Sequence, residues 1–430
     1  MRQTLFYIPE TLFGYPLFGF GLLLAVWAVV GGVLMARLWR RQGWNADTRG
    51  YAVLLLALGA VIWAVLPRIV EPGFGLPIRG YGTLLLAGFL AGSGLVAWRG
   101  YRLGIDPDVS ITLIFWGFIP GIIGARLYFV ATHWDAVRRL DPSHRIDLWR
   151  TLGEIVNIPQ GGLVVYGALI GGLLGFGAFL IRRRLPLLPM LDLLTPGMLL
   201  GLALGRVGCF LNGCCYGGPC ELPWAVRFPV GSPPFVQQAE EGKLFLFGLK
   251  FQGPDSAPPT IAEVEPNSAA AAQGLKPGET LRAINRVRID TVAEARWELL
   301  TALRLGREVA IATAGRDAWI RLPVPDPLPR SEPIHPTQLY SAIDALVLCL
   351  FLLAYDPFKR RDGEVFALFL TIYPVSRFLM ECIRVDEPGI WGTPLTGAQF
   401  LSLAILASVC GLWIYLLRRP AGKVFPATTS

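Results

Sequence analysis

Charged residues are scarce in this 430-residue chain, and apolar residues are abundant. Only 16% of the residues are charged, 53% are hydrophobic, and the mean hydropathy is +0.50. Soluble globular domains average about a quarter charged residues, so the scarcity excludes an ordinary soluble domain and predicts a membrane protein. We attribute the excess of 39 Lys and Arg over 31 Asp and Glu to basic cytoplasmic loops, and we expect no nucleic-acid partner.

Histidine and the common hydrolase motifs are lacking as well. The chain has three histidines, no H-E-x-x-H pair that would bind a catalytic zinc ion, and no G-x-S-x-G nucleophile motif. These absences argue against an intramembrane protease. No metal and no cofactor are expected.

Hydrophobic runs of about 20 residues are long enough to cross a bilayer. Nine such runs are predicted, at about 17–36, 51–70, 80–98, 109–131, 161–181, 190–211, 338–355, 364–383 and 397–417. The predicted fold class is therefore an all-α polytopic membrane protein with about nine transmembrane helices. Basic residues follow the odd-numbered helices, which places the amino terminus outside and the carboxyl terminus in the cytoplasm.

A polar, proline-rich segment between the sixth and seventh predicted helices interrupts the membrane pattern. Its stretch "TIAEVEPNSAAAAQGLKPGETLRAINRVRI" predicts a strand, a short helix, a tight glycine turn and a strand. The part "NSAAAAQGLKPGE" resembles a PDZ domain, and "FGLKF" (247–251) is the candidate carboxylate-binding strand. We expect a small α+β PDZ-like domain outside the membrane, with a peptide or a protein C-terminus as its ligand. The alternative is a degenerate domain that only packs on the membrane part.

The predicted organisation has four parts. Two extra N-terminal transmembrane helices occupy 1–76, and the first part of the membrane domain occupies 77–242. The PDZ-like domain occupies 243–327, and the second part of the membrane domain occupies 328–430.

Two arginines lie inside predicted helices at matching depth. A helix rises about 1.5 Å per residue, so Arg206 lies about 22 Å and Arg377 about 21 Å from the cytoplasmic ends of their helices. Glu381 follows Arg377 by one turn on the same face. Intramembrane arginines are costly and indicate function, and guanidinium groups bind phosphate bidentately. The pattern predicts a site for a lipid head-group phosphate, unless Arg206 only reaches towards the surface and Arg377 only pairs with Glu381.

A series of motifs extends this pattern along the chain. The stretch "DLLTPGMLLGLALGRVGCFLNG" resembles the signature of bacterial prolipoprotein diacylglyceryl transferases. Further matches to that family follow its order: "RGYG" at Arg79, "GARLYFV" at Gly124, "GGLVVYGALIGG" at Gly161, "LPWAVRFP" at Leu222, "HPTQLY" at His335, "SRFLMECIR" at Ser376 and "LTGAQFLS" at Leu395. The resemblance covers the third to the ninth predicted helices.

The resemblance implies an integral-membrane lipid transferase of the bacterial inner membrane that acts in lipoprotein maturation. Its expected partners are phosphatidylglycerol, which donates a diacylglyceryl group, and the signal peptide of a lipoprotein precursor, whose lipobox cysteine accepts it. The catalytic candidates are Arg206, Arg377, Glu381 and Tyr166. The substrate-binding candidates are Tyr81, Arg126, Asn212, His335 and Gln338.

Four residues depart from the family pattern. Tyr166 replaces a histidine that is the candidate base, Cys209 an asparagine, Cys214 a glutamate and Ser341 a glutamate. Tyrosine titrates near pH 10 and is a poor base unless neighbouring cations lower its pKa. Two alternatives follow: a transferase with a different acceptor, or a non-enzymatic lipid-binding or scaffold protein on a decayed transferase fold.

Four of the seven cysteines lie within twelve residues: Cys209, Cys214, Cys215 and Cys220. Their spacing is not C-x-x-C and no histidine is adjacent, which disfavours zinc. Outside the cytoplasm one or two disulfides are expected, with Cys220 paired to Cys214 or Cys215. A reactive thiol is the second interpretation.

Overall fold

The structure is a computed structural model that describes residues 3–71, 73–140, 145–157, 161–251, 253–316, 318–385, 389–390 and 392–424. The chain divides into two compact units. One unit comprises Met1–Leu85 and Val207–Pro336, and the other comprises Leu86–Arg206 and Thr337–Ser430.

The described residues contain fifteen α-helices and ten short strands. The helices are α1 (Leu22–Gln42), α2 (Ala46–Ala60), α3 (Leu66–Ile69), α4 (Gly80–Arg102), α5 (Pro107–Thr132), α6 (Trp134–Val137), α7 (Leu148–Val156), α8 (Val165–Arg183), α9 (Leu187–Asn212), α10 (Pro233–Glu240), α11 (Ala269–Ala272), α12 (Val292–Leu305), α13 (Thr337–Tyr355), α14 (Glu364–Glu381) and α15 (Gly397–Arg418). The strands are β1 (Thr4–Ile8), β2 (Thr11–Leu12), β3 (Tyr15–Pro16), β4 (Leu76–Arg79), β5 (Leu249–Phe251), β6 (Ile261–Val264), β7 (Leu281–Ile284), β8 (Val287–Arg288), β9 (Val309–Thr313) and β10 (Ile320–Leu322).

Eight helices in the described part of the chain are long and apolar enough to cross a membrane. They correspond to eight of the nine predicted spans. The ninth span is α14, a helix of 18 residues with three charged side chains, Glu364, Arg377 and Glu381. The chain is therefore a polytopic membrane protein, and a total of nine crossings stays a prediction.

The first predicted span differs most from the structure. The helix covers Leu22–Gln42 rather than 17–36, because Tyr15–Pro16 forms a strand that pairs with Thr11–Leu12. The basic sequence "RLWRRQ", expected to follow the helix, forms its last turns. The carboxyl-terminal end of a helix carries partial negative charge, which stabilises basic side chains there. The helix can therefore continue through these arginines.

Glycines hold α5 and α8 close together in the second unit. A Cβ atom on Gly167 would lie 2.3 Å from the Gly124 carbonyl oxygen, and one on Gly171 would lie 2.1 Å from the Pro120 carbonyl oxygen. A side chain at either position would force the two helices apart. The small-x-x-x-small spacing of Gly167, Gly171 and Gly175 is typical of such close helix packing.

A second core in the same unit joins α9, α13 and α14. Leu199 and Ala203 on α9 are buried with Ala345 and Leu348 on α13 and with Val365 on α14. These three helices include those that carry Arg206 and Arg377. Their shared core fixes the two helices of the predicted phosphate site in one packed group.

The first unit contains a small α+β domain with its own core. Strands β10, β9, β7 and β8 form a four-stranded antiparallel sheet, and β5 pairs with β6. The predicted order of strand, short helix, glycine turn and strand is confirmed by β6, α11 and β7. Buried residues from Phe235 to Leu322 form one cluster, so the folded core begins at α10 rather than at residue 243.

The chain enters and leaves this domain through neighbouring strands. Pro229 pairs with Arg330 and Val226 with Ile334 in antiparallel bridges. The Ser331 amide donates to the Phe228 carbonyl at 2.9 Å, and the Ser331 hydroxyl accepts from the Phe228 amide at 2.8 Å. The two ends are therefore side by side, as expected for an inserted domain.

Candidate active site

A buried carboxylate joins two arginines at the end of α14. Glu381 is 3% exposed, and its Oε2 lies 2.7 Å from Nη1 of Arg377 and 3.1 Å from Nη1 of Arg384. Helical spacing explains the contact with Arg377, which lies one turn before Glu381 on the same face; Arg384 follows the helix in a turn, where its amide donates to the Glu381 carbonyl at 3.2 Å. Sequence reasoning identified Arg377 and Glu381 but missed Arg384, although its position three residues after Glu381 was a usable signal. This group is called the Glu381 cluster below.

The helices that carry Arg206 and Arg377 are joined near their other ends by Asp192. This residue of α9 is 1% exposed. Its carboxylate accepts the Gly363 amide at 2.8 Å and the Phe366 amide at 2.9 Å. A side chain from another helix thus satisfies amides that the start of α14 leaves open. Asp192 was quoted within the family signature but was not assigned a role.

This contact sets a common origin for the two arginines. Fourteen residues separate Asp192 from Arg206, and fourteen separate Gly363 from Arg377. At about 1.5 Å per residue, each arginine lies about 21 Å along its helix from the shared contact. The register supports the predicted matching depth of Arg206, which is half-buried, and Arg377, whose side chain is 16% exposed.

Further charges surround Asp192 and balance it. Lys359 Nζ lies 3.2 Å from Asp192 and 3.1 Å from Asp356, and Arg99 Nη2 lies 2.9 Å from Asp356. Arg99 also donates to the carbonyls of Asp192 and Leu193, at 2.9 and 2.7 Å. Two cations and two carboxylates therefore form a closed network, called the Asp192 cluster below.

Tyr166 lies at the start of α8, as predicted, and its hydroxyl approaches the start of α15. A Cβ atom on Gly397 would lie 2.8 Å from the Tyr166 oxygen. Thr396 and Gln399 form a capping box at this helix start. The amino-terminal end of a helix carries partial positive charge, and the Tyr166 oxygen lies beside it.

Arg126 is occupied by backbone carbonyls. It is 7% exposed, and it donates to the carbonyls of Glu154, Ile155, Gly161 and Gly162 at 2.6, 2.9, 2.7 and 3.0 Å. These contacts hold the chain before α8. They favour a bracing role over the predicted contact with substrate.

The remaining candidates lie in both units. In the first unit, Tyr81 begins α4 and is 40% exposed, and it contacts Gly208 of α9. Asn212 lines a cavity of about 380 Å³ together with Gln3, Tyr7 and Phe228. This cavity involves the N-terminal strand, which sequence reasoning did not connect with the site.

His335 and Gln338 flank the start of α13. The backbone of His335 exchanges hydrogen bonds of 3.0 Å with Gly217 and Gly218, so this histidine holds the loop that follows α9. In the second unit, Gln338 is fully buried in the first turn of α13. The helix begins at Thr337, one residue before the predicted run of about 338–355.

Three of the four clustered cysteines come together after α9. The Sγ atoms of Cys209, Cys214 and Cys215 lie within 4.8 Å of one another, and all three residues are half-buried. Hydrogen bonds with Cys209 and then with Cys215 lower the pKa of the Cys214 thiol. Cys220 is a buried free thiol whose sulfur accepts the Leu222 amide at 3.4 Å, so the disulfide expected for it is not formed here and stays a prediction.

The chain is thus a polytopic membrane protein with a buried arginine–glutamate cluster. The helices that carry Arg206 and Arg377 pack together in one core. Comparison with known proteins makes the assignment specific. The family described as "Prolipoprotein diacylglyceryl transferase" matches residues 67–415. The chain belongs to this family and is a transferase.

Named relatives agree with the family assignment. A phosphatidylglycerol–prolipoprotein diacylglyceryl transferase of Rhodopirellula baltica is 34% identical over 95% of this chain and 88% of its own length. Proteins with the same description from Nostoc sp. and Gloeobacter violaceus are 34% and 29% identical, each over 84% of this chain and over 93% and 96% of their own lengths.

Proposed function

We propose that this chain transfers the diacylglyceryl group of phosphatidylglycerol to the thiol of a lipobox cysteine in a lipoprotein precursor. Beside family membership, one observation carries the proposal. Arg206 and Arg377 lie the same number of residues along their helices from the contact between Asp192 and Gly363. Two guanidinium groups at one depth suit a lipid phosphate, because each presents paired donors to phosphate oxygens.

The Glu381 cluster adds a reason for anion binding. Glu381 carries one negative charge, whereas Arg377 and Arg384 carry two positive charges. The guanidinium groups that Glu381 holds in place stabilise the phosphate as the bond to the glycerol carbon breaks and glycerol phosphate leaves. Glu381 orients both guanidinium groups and is fully shielded from solvent.

The other candidates receive supporting roles in this proposal. Tyr81 and Asn212 position the head group, and Tyr166 contacts the acceptor side of the reaction. His335 and Gln338 shape the segment that leads into α13. Arg126 holds the chain before α8 and thereby positions Tyr166.

We propose that the inserted domain is PDZ-like and lies outside the membrane with the amino terminus, while the carboxyl terminus is cytoplasmic. The strand order and the Ser268-capped α11 support the PDZ-like assignment. Basic residues after the odd-numbered helices support the orientation. Packing of α10 into the domain core favours a role in contacts within the protein over capture of a free peptide.

The test uses the purified full-length chain in detergent with phosphatidylglycerol and a short lipobox peptide. We expect the peptide to gain the mass of a diacylglyceryl group on its cysteine. A peptide with serine in place of cysteine, and phosphatidylethanolamine in place of phosphatidylglycerol, serve as controls. Absence of product under conditions in which a family relative modifies the peptide would contradict the proposal.

Complementation separates the enzymatic proposal from its alternatives. Expression of the chain in a bacterium depleted of its own transferase should restore growth and lipoprotein modification. A chain that reaches the membrane in normal amount but restores neither would favour the lipid-binding scaffold. Modification of an amine-bearing peptide instead would identify a different acceptor.

A further inference from the structure

The cysteine cluster forms because the chain turns back on the end of α9. Gly213 has φ +81° and Cys215 has φ +59°, both in the left-handed region that reverses a helix end. The amides of Gly213 and Cys214 donate to the Cys209 carbonyl at 2.8 and 3.2 Å. The turn therefore brings Cys214 and Cys215 back beside the last turn of the helix.

Three sulfur atoms at this separation match the needs of one zinc ion. A tetrahedral site with Zn–S bonds of about 2.3 Å places its sulfur atoms about 3.8 Å apart. The Sγ atoms of Cys209, Cys214 and Cys215 already lie within 4.8 Å, so shifts of about 1 Å would complete the geometry. Soft thiolate ligands favour zinc or monovalent copper over magnesium or calcium. The C-x-x-C criterion overlooks this set because one ligand comes from the helix and two come from the turn.

The number of ligands also matters. Structural zinc sites usually have four protein ligands, whereas catalytic sites have three and leave the fourth position open. In the described part of the chain, three residues form this group, and Cys220 is engaged elsewhere. A zinc ion held by three cysteines would have an open fourth coordination position, to which a substrate atom can bind.

We propose that Cys209, Cys214 and Cys215 bind one Zn²⁺ ion whose fourth position takes the acceptor thiol of the lipoprotein precursor. This proposal rests on the proposed function and deepens it, because it assigns the activation of the thiol. The thiolate is the nucleophile, and a thiol that coordinates a metal ion is deprotonated outright. A bound zinc ion thus performs the task for which the tyrosine at position 166 is poorly suited.

The step is balanced without an oxidant or a reductant. The acceptor thiol loses its proton to water as its sulfur binds zinc. A sulfur electron pair then attacks the glycerol carbon of the diacylglyceryl group, the C–S bond forms and the C–O bond to the phosphate breaks. Glycerol phosphate leaves with that electron pair. In the sequence of α9, Cys209 follows Arg206 by three residues.

Metal content gives the first test, independent of transfer. The full-length chain, purified without chelators and exchanged into zinc-free buffer, should retain about one zinc per chain by elemental analysis. The triple variant Cys209→Ser, Cys214→Ser, Cys215→Ser should retain none, and Cys410→Ser is the control with one exposed thiol removed. Equal zinc in the wild type and the triple variant, copper instead of zinc, or a disulfide within 209–215 found by mass spectrometry would overturn the proposal.

Cobalt provides a second test that uses the wild-type chain and thus does not depend on folding of the triple variant. Co²⁺ in place of zinc should give sulfur-to-cobalt absorption in the near ultraviolet and visible bands typical of four ligands. A lipobox peptide should shift these bands, and the peptide with serine in place of cysteine should not. Identical spectra with the two peptides would overturn the assignment of the fourth position.

The two proposals fail in distinguishable ways. Transfer by a chain free of zinc would refute the zinc site and leave the proposed function intact. A zinc-bound chain whose cobalt form responds to the peptide but which never transfers lipid would refute the proposed function. An acceptor thiol that is not coordinated should react faster as the pH rises towards its pKa of about 8.5. With zinc bound, the transfer rate should not show this pH dependence.

Discussion

Two buried ionic clusters lie at opposite ends of α14: the Asp192 cluster at its start and the Glu381 cluster at its end. The Asp192 cluster contains two cations and two carboxylates, so its charges cancel. The Glu381 cluster contains two cations and one carboxylate. The Asp192 cluster joins α9 to the start of α14, whereas the Glu381 cluster comes from the end of α14 and the turn after it. The comparison distinguishes a cluster that ties two helices together from one that holds two guanidinium groups beside each other.

The Asp192 cluster also shows how nearby carboxylates keep Lys359 charged. Burial disfavours the ammonium form of Lys359, but attraction to Asp192 and Asp356 outweighs burial and raises the pKa of Lys359 above its ordinary value. Lys359 is therefore charged at neutral pH, and its partners are satisfied within the protein. At the Glu381 cluster, we expect the substrate phosphate to bind beside the guanidinium groups of Arg377 and Arg384.

The largest effect is expected from removal of an arginine of the phosphate site. Arg377→Ala and Arg206→Ala should each lower transfer by about a hundredfold to a thousandfold, as loss of one preorganised donor does in other enzymes. Lysine at either position should restore only part of the rate, because it lacks the paired donors of arginine. Transfer is measured in purified membranes at matched protein amount, with Arg183→Ala at the exposed end of α8 as the control. Wild-type rates in both alanine variants would refute the phosphate site.

The second effect concerns stability rather than chemistry. Asp192→Ala leaves Lys359 without one of its two carboxylates and frees the amides at the start of α14. Breaking a buried ion pair by removing one partner costs about 3–5 kcal/mol, so the thermal midpoint in detergent and the amount in membranes should both fall. Asp135→Ala, which removes an exposed partner of Arg138, is the control and should change neither. A stable Asp192→Ala protein would show that the closed network is not structural.

The third effect tests whether Arg384 takes part in phosphate binding. Arg384→Gln removes one positive charge and leaves Glu381 paired with Arg377. We expect the KM for phosphatidylglycerol to rise by about tenfold, equivalent to about 1.4 kcal/mol, with a smaller change in kcat. A structural role for Arg384 would instead lower the thermal midpoint without a selective change in KM. Kinetics at several lipid concentrations, with the thermal midpoint measured in parallel, separate these outcomes.

The sequence predicted the features that follow from local pattern. Hydropathy located the helices, and helical rise gave the matching depth of Arg206 and Arg377, which the shared contact at Asp192 supports. The sequence also placed the pair of Arg377 and Glu381 on one face of α14. Local pattern was sufficient because each of these features depends on one helix.

Features formed by distant segments could not be predicted in the same way. Asp192 contacts amides 171 and 174 residues away, and an isolated aspartate in an apolar run does not reveal that partner. The cysteine cluster depends on a left-handed turn at Cys215, a conformation that is uncommon for residues other than glycine. The N-terminal strand pairs Thr4 with Arg79, 75 residues away and beyond α1, α2 and α3.

The smallest effect is expected from removal of the inserted domain. Its core begins with α10, so the excision must span 233–325 rather than begin at residue 243, which would leave Phe235 exposed. Because Pro229 and Arg330 are paired, a short Gly/Ser linker can join the two ends without moving them. Both ionic clusters lie in the other compact unit, and the proposed zinc ligands precede the excised residues, so transfer to a short lipobox peptide should change by less than about threefold. Modification of full-length precursors should fall if the domain recruits them. The assay compares the short peptide with a full-length precursor at equal membrane abundance. Complete loss of transfer to the short peptide would show that the domain is part of the catalytic unit.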